Sequence, residues 1–196
     1  GLSSAQTIAR IKRLGQKKIG HAGTLDPMAT GVLPVFFGRA TRAVEFFEHA
    51  EKTYEAVLRL GLVTDTQDIT GRVLEQRDAS SVTEADVRAV LPRFLGPQKQ
   101  VPPMYSALKV NGKKLYELAR EGIEIERKAR TVHFYEISIL EVKLPLVRME
   151  VTCSKGTYIR TLCHDIGEKL GCHGCMEQLI RTSCLLYTSP SPRDRG

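Results

Sequence analysis

Hydrophobic positions recur with two different periods along this chain. Behind Ser3 and Ser4, either of which can cap a helix, Ile8 and Ile11 stand at helical spacing, and the helix is expected to run to about Leu14 and end at Gly15. Gly20 to Gly31 reads as a long loop rich in Gly, Thr and Pro, followed by a short apolar run, Val32 to Phe37. Thr41 opens a second helix with Val44, Phe47 and Ala50 inward. Tyr54, Ala56, Leu58 and Leu60 instead alternate with Glu55, Val57 and Arg59, a period of two that predicts a strand. Thr64 to Gly71 reads as a polar loop and Arg72 to Gln76 as a further strand. Ser81-Val82-Thr83-Glu84 has the form of a capping box opening a helix to about Phe94.

Further along, Thr131 to Val142 and Val147 to Cys153 predict two strands around a turn at Pro145. They are followed by a helix with Ile159, Leu162, Cys163, Ile166 and Leu170 on one face. Between the second and third helices' neighbourhood and these strands lies Gln98 to Arg130, whose Pro102-Pro103 forbids regular structure at its start, and whose Leu115, Leu118 and Ala119 suggest a short helix. A long segment of this kind between core elements is often functional. Strands mixed with helices give an α/β or α+β domain. Leu185 to Gly196 loses all periodicity and is read as a disordered or non-native tail.

Composition narrows the class. The chain has 196 residues with 42% hydrophobic content, enough for one ordinary core, and 26% charged residues, which argues against global disorder. Its formal net charge is +7. The distribution says more than the sum: from Gly1 to Val44 seven cations (Arg10, Lys12, Arg13, Lys17, Lys18, Arg39, Arg42) accompany a single acid, Asp26. Gln98 to Arg130 carries Lys99, Lys109, Lys113, Lys114, Arg120, Arg127, Lys128 and Arg130. Such a balance suits a polyanionic partner, and equally a solubilising surface. Five cysteines, an odd count without a signal peptide, predict reduced thiols and a cytoplasmic protein. No apolar run approaches the ~18 residues of a membrane span. Cys172-His173-Gly174-Cys175 with His164 upstream is half a zinc site without a second pair, so no metal is expected.

The chemistry centres on Gly20-His21-Ala22-Gly23-Thr24-Leu25-Asp26-Pro27-Met28-Ala29-Thr30-Gly31. On spacing alone, Asp26 serves equally as a cap of its own turn. The order of residues carries further information. GHAGTLDPMATGVLPVFFGRATR resembles the signature of the TruB family, the bacterial tRNA pseudouridine-55 synthases. The resemblance continues in Lys52-Thr53-Tyr54, in Met104 to Lys109, in Gly112 to Glu117 and in Cys153 to Thr161, and it covers the chain from Gly1 to about Thr182.

The resemblance implies a pseudouridine synthase-like fold: a mixed, mainly antiparallel sheet flanked by helices, with residues 98–130 as a basic "thumb" that clamps RNA. It implies isomerisation of a uridine, uridine 55 in the TΨC stem-loop of tRNA, without cofactor, by a monomer needing no obligate protein partner. Asp26 matches the family's nucleophilic carboxylate, Arg160 its guanidinium partner, and Tyr54 the tyrosine that stacks on the target base. Tyr158 and Leu179 match the uracil pocket, and His21 the residue that fills the space left by the extruded nucleotide. Lys109, Lys113, Lys114 and Lys155 are the expected RNA contacts. From the residues alone, Tyr54 fits a core position and Arg160 the margin of a helix face equally well. Two other readings are a guide-RNA-dependent synthase of the dyskerin type and an RNA-binding module without catalysis. Against the family pattern the chain is expected to be truncated at both ends. An upstream strand ending in Lys-Pro is missing before a catalytic domain at 1–184, and a PUA-type domain is missing after it.

Overall fold

The computed structural model describes residues 2–15, 17–184 and 187–188. The helices are α1 (Ser4–Lys12), α2 (Val44–Glu48), α3 (Glu84–Val90), α4 (Leu115–Arg120) and α5 (Ile159–Lys169). The strands, in chain order, are β1 (Ile19–His21), β2 (Thr30–Gly31), β3 (Val35–Phe37), β4 (Lys52–Leu60), β5 (Leu62–Thr64), β6 (Val73–Gln76), β7 (Gly96–Gln100), β8 (Lys109–Val110), β9 (Lys113–Lys114), β10 (Arg130–Lys143), β11 (Leu146–Cys153), β12 (Gly174–Cys184) and β13 (Tyr187–Thr188).

The main sheet runs in the order β13-β12-β4-β11-β10-β7 with antiparallel neighbours throughout, and β2 adds to β12 in parallel. It is the mixed, mainly antiparallel sheet expected. β4 explains why: its burial alternates strictly, with Tyr54, Ala56, Leu58 and Leu60 inward and Thr53, Glu55, Val57 and Arg59 on the wetter face. Met149 and Val151 of β11 and Val132 and Phe134 of β10 join the buried face. Against it pack Val87 and Val90 of α3, Leu91 and Phe94 of the 3-10 turn that follows, and Ile159, Leu162, Cys163 and Ile166 of α5. The opposite face is held by polar cross-strand pairs such as Arg148–Glu55 and Thr53–Thr152.

Several local expectations shift. α1 is capped by Ser3, reciprocally with Gln6, and ends at Lys12. The second helix begins as a 3-10 turn over Gly38–Ala43, and only Val44–Glu48 is α-helical. The capping box of α3 is Thr83 with Asp86, not Ser81 with Glu84. That choice places Val82 and Val87, the residues flanking the cap, together in the core. The 20–31 loop is bounded by strands, because β1 pairs with β3. β7 and β12 have no counterpart in the sequence reading. In β12 the period of two is broken by register shifts between Met176 and Gln178 and between Arg181 and Ser183.

The basic segment leaves and re-enters the sheet at one place: Gln100, the end of β7, lies opposite Arg130, the start of β10. Residues between them form an excursion carrying the β8–β9 hairpin and α4. All five cysteines are free and buried. Among the described residues no helix is long and apolar enough to cross a membrane, and no group of three or more His, Cys, Asp or Glu is placed to hold a metal. Of the expected tail at 185–196, only 187 and 188 are described, as β13, and the rest lies outside the described residues.

Candidate active site

Asp26 stands at the tip of a tight turn. Its carbonyl accepts from the Ala29 amide at 2.9 Å, closing a four-residue turn with Pro27 in the second position, where its fixed φ fits. The turn is therefore made by the backbone, and the Asp26 side chain is free for other work. One step upstream, the Leu25 amide donates to Ser4 Oγ at 3.0 Å, tying the loop to the start of α1. At the far end, Gly31 (φ +103°) passes so close to β12 that a Cβ there would lie 2.1 Å from the Arg181 carbonyl oxygen.

The Asp26 carboxylate meets a guanidinium 134 residues away. Arg160 donates from Nε to Oδ2 at 2.8 Å and from Nη2 to Oδ1 at 3.0 Å, a two-pronged pair that sets both the place and the rotation of the carboxylate. Arg160 is 3% exposed, whereas the Asp26 side chain is 32% exposed. Its remaining hydrogen bonds go to the Thr66 carbonyl (Nη1, 2.9 Å) and the Tyr105 carbonyl (Nη2, 2.9 Å). One side chain thus gathers the Asp26 turn, the 64–71 loop and the start of the basic excursion. Asp68, also buried, lies 4.0 Å from Arg160 Nε and is held by Thr66 and Thr70. Between Thr66 and Asp68, Gln67 adopts a left-handed backbone (φ 62°) and accepts from Thr161 Oγ1 at 2.8 Å. Such conformations cost about 1–3 kcal/mol and persist where surroundings enforce them.

Tyr158 and Arg160 open α5, and Gln100 places them. Its buried side-chain amide donates to the Tyr158 carbonyl (3.1 Å) and accepts from the Tyr158 amide (3.0 Å), as a neighbouring strand would. Burial pushes the Tyr158 phenol up, with the Ser106 hydroxyl and the Arg160 charge opposing.

A cleft of about 420 Å³ runs past these groups, lined among others by His21, Asp26, Tyr54, Lys155, Tyr158 and Arg160. The structure therefore brings together residues separated along most of the chain. Tyr54 is only 8% exposed, and desolvation raises its phenol to about 12, so it is a neutral hydroxyl at neutral pH. Leu179 is placed differently: it is buried in the core cluster and is not among the residues lining the cleft. Lys114, Tyr116 and Arg120 of the excursion form an outer wall facing Asp26, with Lys114 and Arg120 both over the Tyr116 ring. Lys109 and Lys113 are exposed on the β8–β9 hairpin. Lys155 is exposed and meets His49 Nδ1 at 2.7 Å.

Arg181 was missed by the sequence reading, and Lys52 was noticed only as part of a motif. Both are buried and line the same cleft. Lys52 Nζ donates to the Ala50 carbonyl at 3.0 Å. The signal available was compositional only: cations are almost never fully buried without a reason.

Comparison with known proteins agrees with the fold and the motif order. The family model for TruB family pseudouridylate synthase (N terminal domain) matches residues 11–159. The chain belongs to this family. A second model, the tRNA pseudouridylate synthase B C-terminal domain, matches residues 160–192, past the point at Thr182 where the motif resemblance ends. The border between the two matches falls inside the first turn of α5, while strands from both sides build one sheet. The tRNA pseudouridine synthase B of Alkaliphilus oremlandii is 52% identical over 184 residues, covering 93% of this chain and 61% of the relative. That of Burkholderia mallei is 55% identical over 183 residues, covering 93% and 60%. The chain thus spans about three fifths of the curated relatives it matches. Among solved structures, a Cbf5-Nop10-Gar1 complex aligns with a TM-score of 0.72 at 34% identity, over 93% of this chain and 45% of that one. An H/ACA RNP bound to a substrate RNA aligns with a TM-score of 0.70 at 29% identity, over 96% and 46%.

Proposed function

We propose that this chain isomerises a uridine in RNA to pseudouridine, with Asp26 as the carboxylate that acts at C1′ of the ribose. The observation that carries this reading is the two-pronged Asp26–Arg160 pair opening on a cleft walled by aromatic and cationic side chains. The reaction breaks the C1′–N1 bond, turns the base, joins C5 to C1′, and moves one proton from C5 to N1. Atoms and electrons balance within the substrate, so the chemistry calls for no redox cofactor. It calls for a fixed carboxylate beside C1′, and for walls that retain the detached base. Arg160 supplies the fixation, and Tyr158 and Tyr54 supply flat surfaces about the cleft. The carboxylate serves either route, bonding to C1′ or removing a C2′ proton to form a glycal.

C1′ and C5 are out of reach within stacked RNA, so the nucleotide is extruded, at a cost of about a few kcal/mol repaid by contacts in the pocket. His21, half-buried on the cleft wall, is the residue we assign to the vacated space. Leu179 acts in this scheme from the core behind the cleft. Lys109, Lys113, Lys114 and Lys155 are assigned to phosphates, with residues 98–130 as the clamp on a catalytic domain at 1–184. The substrate is the TΨC stem-loop of tRNA, bound by a monomer in the cytoplasm without a protein partner. Relatives named tRNA pseudouridine synthase B, at 50% identity and above, support tRNA over a guide-directed target. The test is a tRNA transcript carrying tritium at C5 of its uridines, since joining C5 to C1′ releases that hydrogen to water. Wild-type chain that binds the transcript yet releases no tritium would sink the enzyme reading. Full activity in Asp26→Ala would sink the assigned mechanism.

A further inference from the structure

Arg181 is fully buried on β12, directly opposite Tyr54 of β4, and it lines the cleft with Tyr54, Asp26 and Arg160. A guanidinium cannot shed its charge in a protein, and a buried charge is costly unless neutralised or hydrogen-bonded. Among the described residues no acidic side chain pairs with it. Carbonyl dipoles hold it instead. Nε donates to the Val32 carbonyl at 2.8 Å and Nη2 to the Gly23 carbonyl at 2.9 Å. The Arg181 carbonyl in turn accepts from the Val32 amide at 2.9 Å. Gly23 and Val32 are the two flanks of the loop whose tip is Asp26. The third nitrogen, Nη1, is buried without an acceptor in hydrogen-bond geometry. A Cβ at Gly23 would stand 3.1 Å from it, tighter than ordinary contact, so a side chain there would press on the guanidinium.

We propose that Arg181 is a positioning residue for both sides of the cleft, tying the two flanks of the Asp26 loop together and standing as the cationic partner of the Tyr54 hydroxyl. The proposal rests on the uridine-isomerising reading for its catalytic consequence, but not for its geometry. The phenol supports it: of the influences opposing the desolvation of Tyr54, the charge of Arg181 is the largest. A plain structural strut would need only the two carbonyl contacts. It would not need to spend an unneutralised charge against a tyrosine that lines the cleft.

The two roles separate experimentally. Arg181→Met removes the charge and the fork together. On the tRNA transcript, kcat is expected to fall by about 100-fold, the scale of losing one preorganised electrostatic contact, with KM nearly unchanged. Fluorotyrosine placed at position 54 gives a fluorine NMR signal that follows ionisation of that phenol without any RNA. Its titration should move to more alkaline pH in Arg181→Met. An unmoved titration, in a variant that still folds, overturns the proposal and leaves a strut. Should Arg181→Met not fold, Arg181→Lys takes its place, measured by melting alone and in combination with Tyr54→Phe. Costs that are smaller together than summed support the coupling, and additive costs overturn it. Because titration and melting need no turnover, inactivity of the wild-type chain would refute the functional reading while leaving this test intact.

Discussion

Two arginines are buried beside the cleft, and they differ in what neutralises them. Arg160 faces a carboxylate that is open to the cleft, and fills its other donors with the carbonyls of Thr66 and Tyr105. Arg181 has no carboxylate among the described residues and donates to carbonyls on the two flanks of the same loop, with its charge beside the Tyr54 phenol. One guanidinium fixes the carboxylate at the loop's tip, and the other holds the loop's two flanks. The contrast teaches that charge pairing and loop anchoring are divided between two elements, α5 and β12, whose strands and helices pack on one core.

The strongest way to break this division is at the carboxylate. Asp26→Asn keeps shape and loses the charge, and tritium release from C5-labelled tRNA should fall by at least about 1,000-fold, the scale seen when a nucleophile is removed, while a filter-binding assay retains the affinity. Activity within tenfold of wild type would mean that the pair with Arg160 is structural. Arg160→Met comes next. It leaves the Thr66 and Tyr105 carbonyls without their donor, and urea unfolding should show a loss of about 2–3 kcal/mol, held below the fully buried range because Asp26 is partly exposed.

On the other side, Gly31→Ala forces a Cβ into the Arg181 carbonyl and strains a left-handed backbone. A destabilisation of about 2 kcal/mol or more is expected, read as a lowered melting temperature, with the loop's anchorage to β12 failing first. A neutral effect would show that the flank moves freely and that Arg181 anchors little. Exposed cations should behave unlike the buried pair. Lys109→Ala and Lys113→Ala should each weaken RNA binding without changing melting, and each should reduce the slope of log affinity against log salt by about 1.

The smallest effect concerns a cation that, unlike an arginine, titrates. His173 is placed between Glu168, hydrogen-bonded to its Nδ1 at 2.5 Å, and Glu75, whose Oε1 stands 3.0 Å from Nε2, and these two carboxylates, Glu168 foremost, raise its pKa above the ordinary 6.5. A raised value in the fold means that protonation favours folding. The contribution is fully present below pH 6.5 and is lost as pH climbs through the raised value. Melting curves across neutral to mildly alkaline pH should fall accordingly, and Glu168→Gln should flatten that part of the profile. A profile unchanged by Glu168→Gln would remove this pair from the account.

Legibility followed the range of the interaction. β4 was readable because one face of a strand is buried, which writes a period of two directly into residues 54–60. β12 was not, because its bulges interrupt that period while serving to bring Arg181 opposite Tyr54. The cap of α3 was read two residues early: Ser81 and Glu84 fit the capping-box pattern, yet Thr83 and Asp86 form the box, with Val82 and Val87 buried on either side of it. Asp26 on its own spacing fitted a turn cap. The structure keeps the turn in the backbone, and sends the carboxylate to Arg160.

The sequence by itself determined the alternation that builds the central strands, the basic surfaces, and the motif order that belongs to one family. Only the tertiary structure decided that Asp26 and Arg160 meet as a two-pronged pair, that Gln100 sets Tyr158, and that Arg181 braces the loop. The physical reason is the kind of partner involved. Periodicity records which side of an element faces the core, a property each residue carries alone. The bonds that shape the cleft end largely on backbone carbonyls, which every residue possesses, and their positions exist only once distant segments have packed.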